Sequence, residues 1–185
     1  MKNADPNNVF LINVHVGGYA APTGGDPDFR TPFGTAIAGQ SNLAGYPAGT
    51  VNRREFAGLQ QNGTGTAMSR GNWTNAGNQI KLQSSYVNVA VESSINVTNN
   101  ELTVHVEAYY TGASPVSTNL LNVALLQNNT TGPQTGGNAG NEYVHQHRLV
   151  HMITGQWGES ITTTTSGTFV DRTYTYTLPA NYNGI

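Results

Sequence analysis

Cysteine is absent from all 185 residues. That absence excludes disulfides, thiolate zinc centres and thiol catalysis by the chain's own side chains. Charge is scarce as well: 10% of residues are charged and the net charge is −2, so no basic surface gathers phosphates and nucleic acid is not an expected partner. Lysine occurs only at Lys2 and Lys81. No apolar run reaches the 18 residues of a membrane-spanning helix, so no transmembrane segment is expected. The opening "MKNADPNNVFLINVHV" lacks the basic region and cleavage pattern of a signal peptide. Neither G-x-S-x-G nor G-x-x-x-x-G-K-[ST] occurs, which leaves serine hydrolysis and P-loop nucleotide binding without a motif. No catalytic residue and no cofactor are expected, and a non-enzymatic protein is the favoured class.

What is present points to strands joined by turns. Glycine (22 residues), asparagine and threonine are abundant, and β-branched and aromatic residues recur at regular spacing. "VFLINVHV", Val9 to Val16, is a short apolar run with little polar alternation, which predicts a central strand covered on both faces. A glycine- and proline-rich connection follows, with a short helix near "TPFGTAIAGQ". "AGTVNRREF" reads as a further strand. In "SRGNWTNAGNQIKLQ", Trp73, Ala76 and Ile80 fall on one face of a helix, which Gly71 and Gly77 weaken.

From about Ser84 the period shortens to two. Val87, Val89 and Val91 alternate with Asn88, Ala90 and Glu92, Leu102, Val104 and Val106 alternate with Thr103, His105 and Glu107, and "NVTNNE" between the two runs reads as a hairpin turn. "LLNVALLQ", Leu120 to Gln127, predicts a buried strand, and "NNTTGPQTGGNAGNE" a flexible polar loop. In "TFVDRTYTYTL", Val170, Arg172, Tyr174, Tyr176 and Leu178 share one side. The expected organisation is α+β: a partial thioredoxin-like mixed sheet over residues 1–81, then an antiparallel β-sandwich over 82–185. A sandwich stopping after "LPANYNGI" would leave an edge, so a further strand beyond Ile185 is expected, and self-assembly through unpaired edges is an expected mode of partnership.

The blocks "VFLINVHV", "GYPAGTVNRR", "SRGNW", "LLNVALLQ" and "EYVHQHRLVHMITGQWGE", in this order, resemble the outer-membrane-protein-28-related family of exported surface proteins from end to end. The thioredoxin-like assignment of the first part comes from this resemblance. It implies a thioredoxin-like region followed by a β-sandwich, located at the outer-membrane surface or outside the cell. It also implies that a cysteine-bearing segment precedes the strand matching Val9 to Val16, that Met1 to Asn8 end the helix after that segment, and that Pro47 takes the cis-proline position. Thiol–disulfide exchange with cysteines upstream of this chain is therefore the alternative function.

Candidate site residues carry weaker signals. Pro47 would orient backbone groups toward a substrate, or merely shape the entry to a strand. Arg53 and Arg54 could hold a carboxylate, although neighbours on a strand point to opposite faces. Tyr109, Tyr110, Tyr174 and Tyr176 lie on adjacent expected strands and could form an aromatic binding strip, though cross-strand tyrosines also stabilise sheets. "YVHQHRLVH" holds His145, His147 and His151: a strand puts the first two on one face, a helix puts the last two one turn apart, and either gives two metal ligands. A third would come from Glu142 or Glu159. Trp73 and Trp157 read as packing residues. The favoured function is an exported surface module for adhesion, assembly or binding, with a protein or another cell-surface component as partner.

Overall fold

A threonine followed by proline starts the first helix. Thr31 Oγ1 accepts from Gly34 N at 3.0 Å, and Pro32 sits at the first helical position, where its missing N–H has no intrahelical partner to lose. This helix, α1 (Pro32–Ser41), ends at Asn42 in the left-handed conformation, φ 55°. The carbonyl of Ser41 accepts from Thr66 N and Ala67 N, both at 3.0 Å, so the helix terminus is tied to the chain ahead. The computed structural model describes residues 5–135 and 139–182. Across them the fold is mixed α+β with several antiparallel sheets.

Two compact units are present: Met1–Ser84 with Leu126–Leu149, and Ser85–Leu125 with Val150–Ile185. In the first, β1 (Ala48–Gly49) pairs antiparallel with β2 (Met68–Ser69), and a 3-10 turn at Arg70–Asn72 leads into α2 (Trp73–Lys81). Phe56, Met68 and Ala76 form its core, with Val51, Leu59, Trp73 and Ile80 packed around them. The helical spacing read from Trp73, Ala76 and Ile80 thus describes the face that is buried. Gly49 admits the Trp73 ring: a Cβ there would stand 2.7 Å from ring atom Cε2, while Trp73 Nε1 donates to Met68 O at 2.9 Å.

The second unit is built on the hairpin of β3 (Val87–Asn96) and β4 (Glu101–Tyr110). β5 (Asn119–Leu121) follows, and β6 (Ala124–Gln127) carries the chain into the first unit. There β7 (Thr130–Gln134) and β8 (Gly140–His145) form a second hairpin, and the chain returns along β9 (Arg148–Met152), which pairs with β6. β10 (Glu159–Ile161) pairs with β5, and β11 (Phe169–Thr177) pairs with β4, giving a three-stranded sheet in the order β11-β4-β3. Leu102, Val104 and Val106 on β4 are buried against Leu121, Val123, Leu125, Ile153, Tyr174 and Leu178. Tyr110, Ile161 and Val170 make an adjoining core.

Five expectations change. Val9 to Val16 is not a buried strand: Val9 is buried, but Phe10 is 81% and Ile12 52% exposed. Two isolated parallel bridges, Asn13 to Arg148 and His15 to Arg30, hold it in place of continuous ladders, so no sheet covers both faces. "AGTVNRREF" is a strand only at Ala48–Gly49. It then reverses at Asn52 and Arg53, whose φ values of 48° and 49° suit a two-residue hairpin turn closed by the Val51–Arg54 bridge. "LLNVALLQ" is split between β5 and β6 by Asn122 and Val123, and Leu120 is exposed. The polar segment 128–142 is a hairpin over β7 and β8, because ladder pairing satisfies its backbone; Gly136 to Asn138 lie outside the described residues. Of the expected helix end at Met1 to Asn8, residues 1–4 also lie outside, and Pro6 to Asn8 form a turn.

Candidate functional site

Alternation along a strand separates the three-stranded sheet into two chemically different faces. One carries Leu102, Val104 and Val106 into the core. The other carries Thr103, His105, Glu107 and Tyr109 outward, and register places Glu92 beside His105, Asp171 beside Glu107 and Phe169 beside Tyr109. Tyr109 and Phe169 are 46% and 55% exposed, an aromatic pair on an open surface. His105 Nε2 lies 3.0 Å from Asp171 Oδ1. The donor atoms of His105, Glu107 and Asp171 all fall within 4.8 Å of one another, which makes them a group able to hold a metal. Along the paired segments this face bears four carboxylates, Glu92, Glu101, Glu107 and Asp171, and no lysine or arginine.

The expected tyrosine strip divides between these faces. Tyr109 points outward, whereas Tyr174 and Tyr176 are register partners of Val104 and Leu102 on the core side. Tyr174 donates to Glu159 Oε2 at 2.7 Å, and burial together with that carboxylate pushes its hydroxyl up to about 12. Glu159 also accepts from Arg172 Nε at 2.5 Å, and the arginine, then the tyrosine, hold its carboxyl below the usual range. The Tyr176 ring stacks on His151 with centroids 4.3 Å apart. Tyr110 faces the core and stacks on Tyr86.

In the first unit, Tyr46 walls a groove of about 730 Å³ that runs along α1, with Val16, Arg30, Thr35, Asn42 and Leu43 among its lining. The Tyr46–Pro47 peptide is cis. Gly17, at φ 75°, has no room for a side chain because a Cβ would collide with the Tyr46 hydroxyl. Arg30 grips Asp28 through two bonds of 2.9 and 2.7 Å, and this pairing depresses the Asp28 carboxyl. Arg53 and Arg54 occupy the turn after β1 and not a strand, so the alternation argument does not apply to them. Arg53 donates to Gln40 Oε1 at 2.7 Å and Arg54 to Gln83 Oε1 at 2.8 Å.

The three histidines of "YVHQHRLVH" occupy three different surroundings, because β8 ends at His145 and β9 begins at Arg148. His145 is buried, edge-on to Phe29, Tyr143 and His15, with its Nδ1 3.2 Å from His15 Nε2. Burial, then His145 and Arg148, push His15 down to about 4, and burial also lowers His145. Arg148 is 1% exposed, lies over the Phe29 ring at 4.9 Å and donates to Gln127 Oε1. Within the described residues, Arg148 Nε and His15 Nδ1 are buried without a hydrogen-bond partner. His147 takes a left-handed conformation in the connection, its N–H donating to Asn128 Oδ1 at 2.7 Å. His151 lies against Tyr176 and is lowered by burial.

Sequence reasoning passed over His105, Asp171, Phe169, His15 and Arg148. His105-x-Glu107 was readable as an outward pair on one strand; Asp171 and Phe169 join it only through a register that no local pattern encodes. The model of the family described as outer membrane protein Omp28 matches residues 35–184. No curated protein and no solved structure matches the chain.

Proposed function

This chain belongs to the outer membrane protein Omp28 family, which places it at the outer membrane or cell surface, and from that premise we propose that it acts there as a non-enzymatic binding module. Its contact surface is the outward face of β3, β4 and β11. The exposed Tyr109–Phe169 pair carries this reading, since large rings kept in water next to polar side chains are the usual anchors of recognition surfaces. The acidic residues around them give the face its charge preference. The thioredoxin-like region expected over 1–81 is proposed to be the body of the first unit, to which Leu126–Leu149 is added, and the sandwich expected over 82–185 to be the second unit without that segment. Among the described residues no helix is long and apolar enough to cross a membrane.

The test is retention on cell-envelope preparations of beads coated with the chain, compared with beads carrying Tyr109→Ala/Phe169→Ala. Both side chains are outward, so the double variant should fold normally by circular dichroism. Retention several-fold below the parent supports the reading; equal retention removes it. The thiol–disulfide alternative, with Pro47 positioning the substrate and cysteines upstream of this chain, draws no support from the groove beside Tyr46, whose lining does not include Pro47. The chain itself supplies no sulfur nucleophile for that chemistry.

A further inference from the structure

We propose that His105, Glu107 and Asp171 form a binding site for a divalent metal of the zinc class on the outward face of the second unit. His105 and Glu107 are two apart on β4, so both project from the same face, and Asp171 is the direct register partner of Glu107 on β11. One imidazole nitrogen and two carboxylates thus converge from two adjacent strands held by nine consecutive register pairs. Donors bound to one tetrahedral ion at about 2.0–2.2 Å stand roughly 3.3–3.6 Å apart. The His105 Nε2 to Asp171 Oδ1 separation is 3.0 Å, and every donor lies within 4.8 Å of the others.

Electrostatics gives a separate reason for a cation here. Like charges directly opposite on neighbouring strands repel, and Glu107 faces Asp171 in that arrangement. Glu92 and Glu101 add to the negative potential; Arg172, whose side chain starts on the opposite face and is paired with Glu159, reaches Asp171 at its backbone carbonyl, 2.8 Å away, and offsets it only in part. A cation between the two carboxylates turns the repulsion into attraction. The imidazole selects among cations: nitrogen with oxygen donors suits zinc and its transition-metal neighbours, whereas calcium and magnesium favour oxygen alone. Three protein donors leave a fourth position for water or for Glu92, the register partner of His105 on β3.

The experiment titrates the chelator-treated full chain with ZnCl2 by calorimetry and with CoCl2 by visible absorption. One Zn²⁺ per chain and the intense d–d bands of low-coordinate Co²⁺ are expected. His105→Ala and Asp171→Asn should each weaken Zn²⁺ binding roughly 100-fold, on the pattern of losing one of three ligands. His147→Ala should bind as the parent does. Circular dichroism confirms folding, and Glu107→Gln replaces any variant that fails that check. Sub-stoichiometric binding, unchanged affinity in the His105 and Asp171 variants, or loss of binding in His147→Ala each overturns the proposal. These measurements use no partner, so they stand apart from the envelope-binding test.

Discussion

Glu107 and Asp171 stand directly opposite each other on neighbouring antiparallel strands, with the imidazole of His105 bonded to the second of them at 3.0 Å. Two carboxylates so placed repel wherever no cation intervenes. Glu107→Gln should therefore stabilise the metal-free chain by a few tenths of a kcal/mol at low ionic strength. The gain should shrink in 1 M salt, where screening acts within about 3 Å. Urea midpoints at the two salt concentrations check this, and a destabilised variant would mean that the opposed pair carries no repulsion.

Arg148 is a buried guanidinium that meets an amide oxygen and an aromatic ring, and among the described residues no carboxylate pairs with it. Desolvating such a charge is costly, whereas its stem fills space in the core. Arg148→Met, which keeps the volume, should stay within about 1 kcal/mol of the parent. Arg148→Ala, which opens a cavity under Phe29, should lose about 2–4 kcal/mol. Denaturant unfolding ranks the two, and a methionine variant as weak as the alanine variant would show that the charge itself is needed.

Acid should weaken the fold in a window set by His15. Its ordinary value is 6.5 and its folded value about 4, so the unfolded chain takes up a proton first. The stabilisation is complete above pH 6.5, declines as pH falls through the window and is exhausted below about 4; His145 shifts in the same direction. After allowance for partial solvent exposure the loss amounts to about 2 kcal/mol. His15→Phe, which retains the ring contacts with Phe29 and His145, should flatten the dependence between pH 6.5 and 4.5. Asp28 and Glu159 are held low by Arg30 and Arg172, so their stabilisation persists through that window and fades only in stronger acid. An unchanged slope in His15→Phe removes this assignment.

Gly49 is confined by the Trp73 indole. Gly49→Ala would place a methyl group 2.7 Å from Cε2, and either the ring or β1 must shift. A cost of about 1–3 kcal/mol is expected, with a changed Trp73 emission maximum as the ring leaves its bond to Met68 O. Thermal unfolding followed by fluorescence measures both together. Full stability with an unaltered spectrum would contradict the packing described for this core.

Several elements were legible because their signals are local. Thr31 and Pro32 announce a helix start, and Trp73, Ala76 and Ile80 mark the face that α2 buries. Strict alternation at Leu102, Val104 and Val106 identifies the core face of β4, and by the same token it sends His105, Glu107 and Tyr109 outward. The ordered blocks also pointed to the family, and those from Gly45 onward lie within the residues 35–184 that its model matches.

Tertiary structure decided what depends on neighbours distant in sequence. Val9 to Val16 has the composition of a central strand, yet burial requires flanking ladders, and it has only two bridges. Arg53 lost its strand assignment to a turn chosen by Asn52 and Arg53 adopting positive φ. Register, set by the pairing of β4 with β11 across more than sixty residues of sequence, placed Asp171 beside Glu107 and Phe169 beside Tyr109. The periodicity of a strand states which side chains share a face, but only the strand laid next to it determines which of them meet.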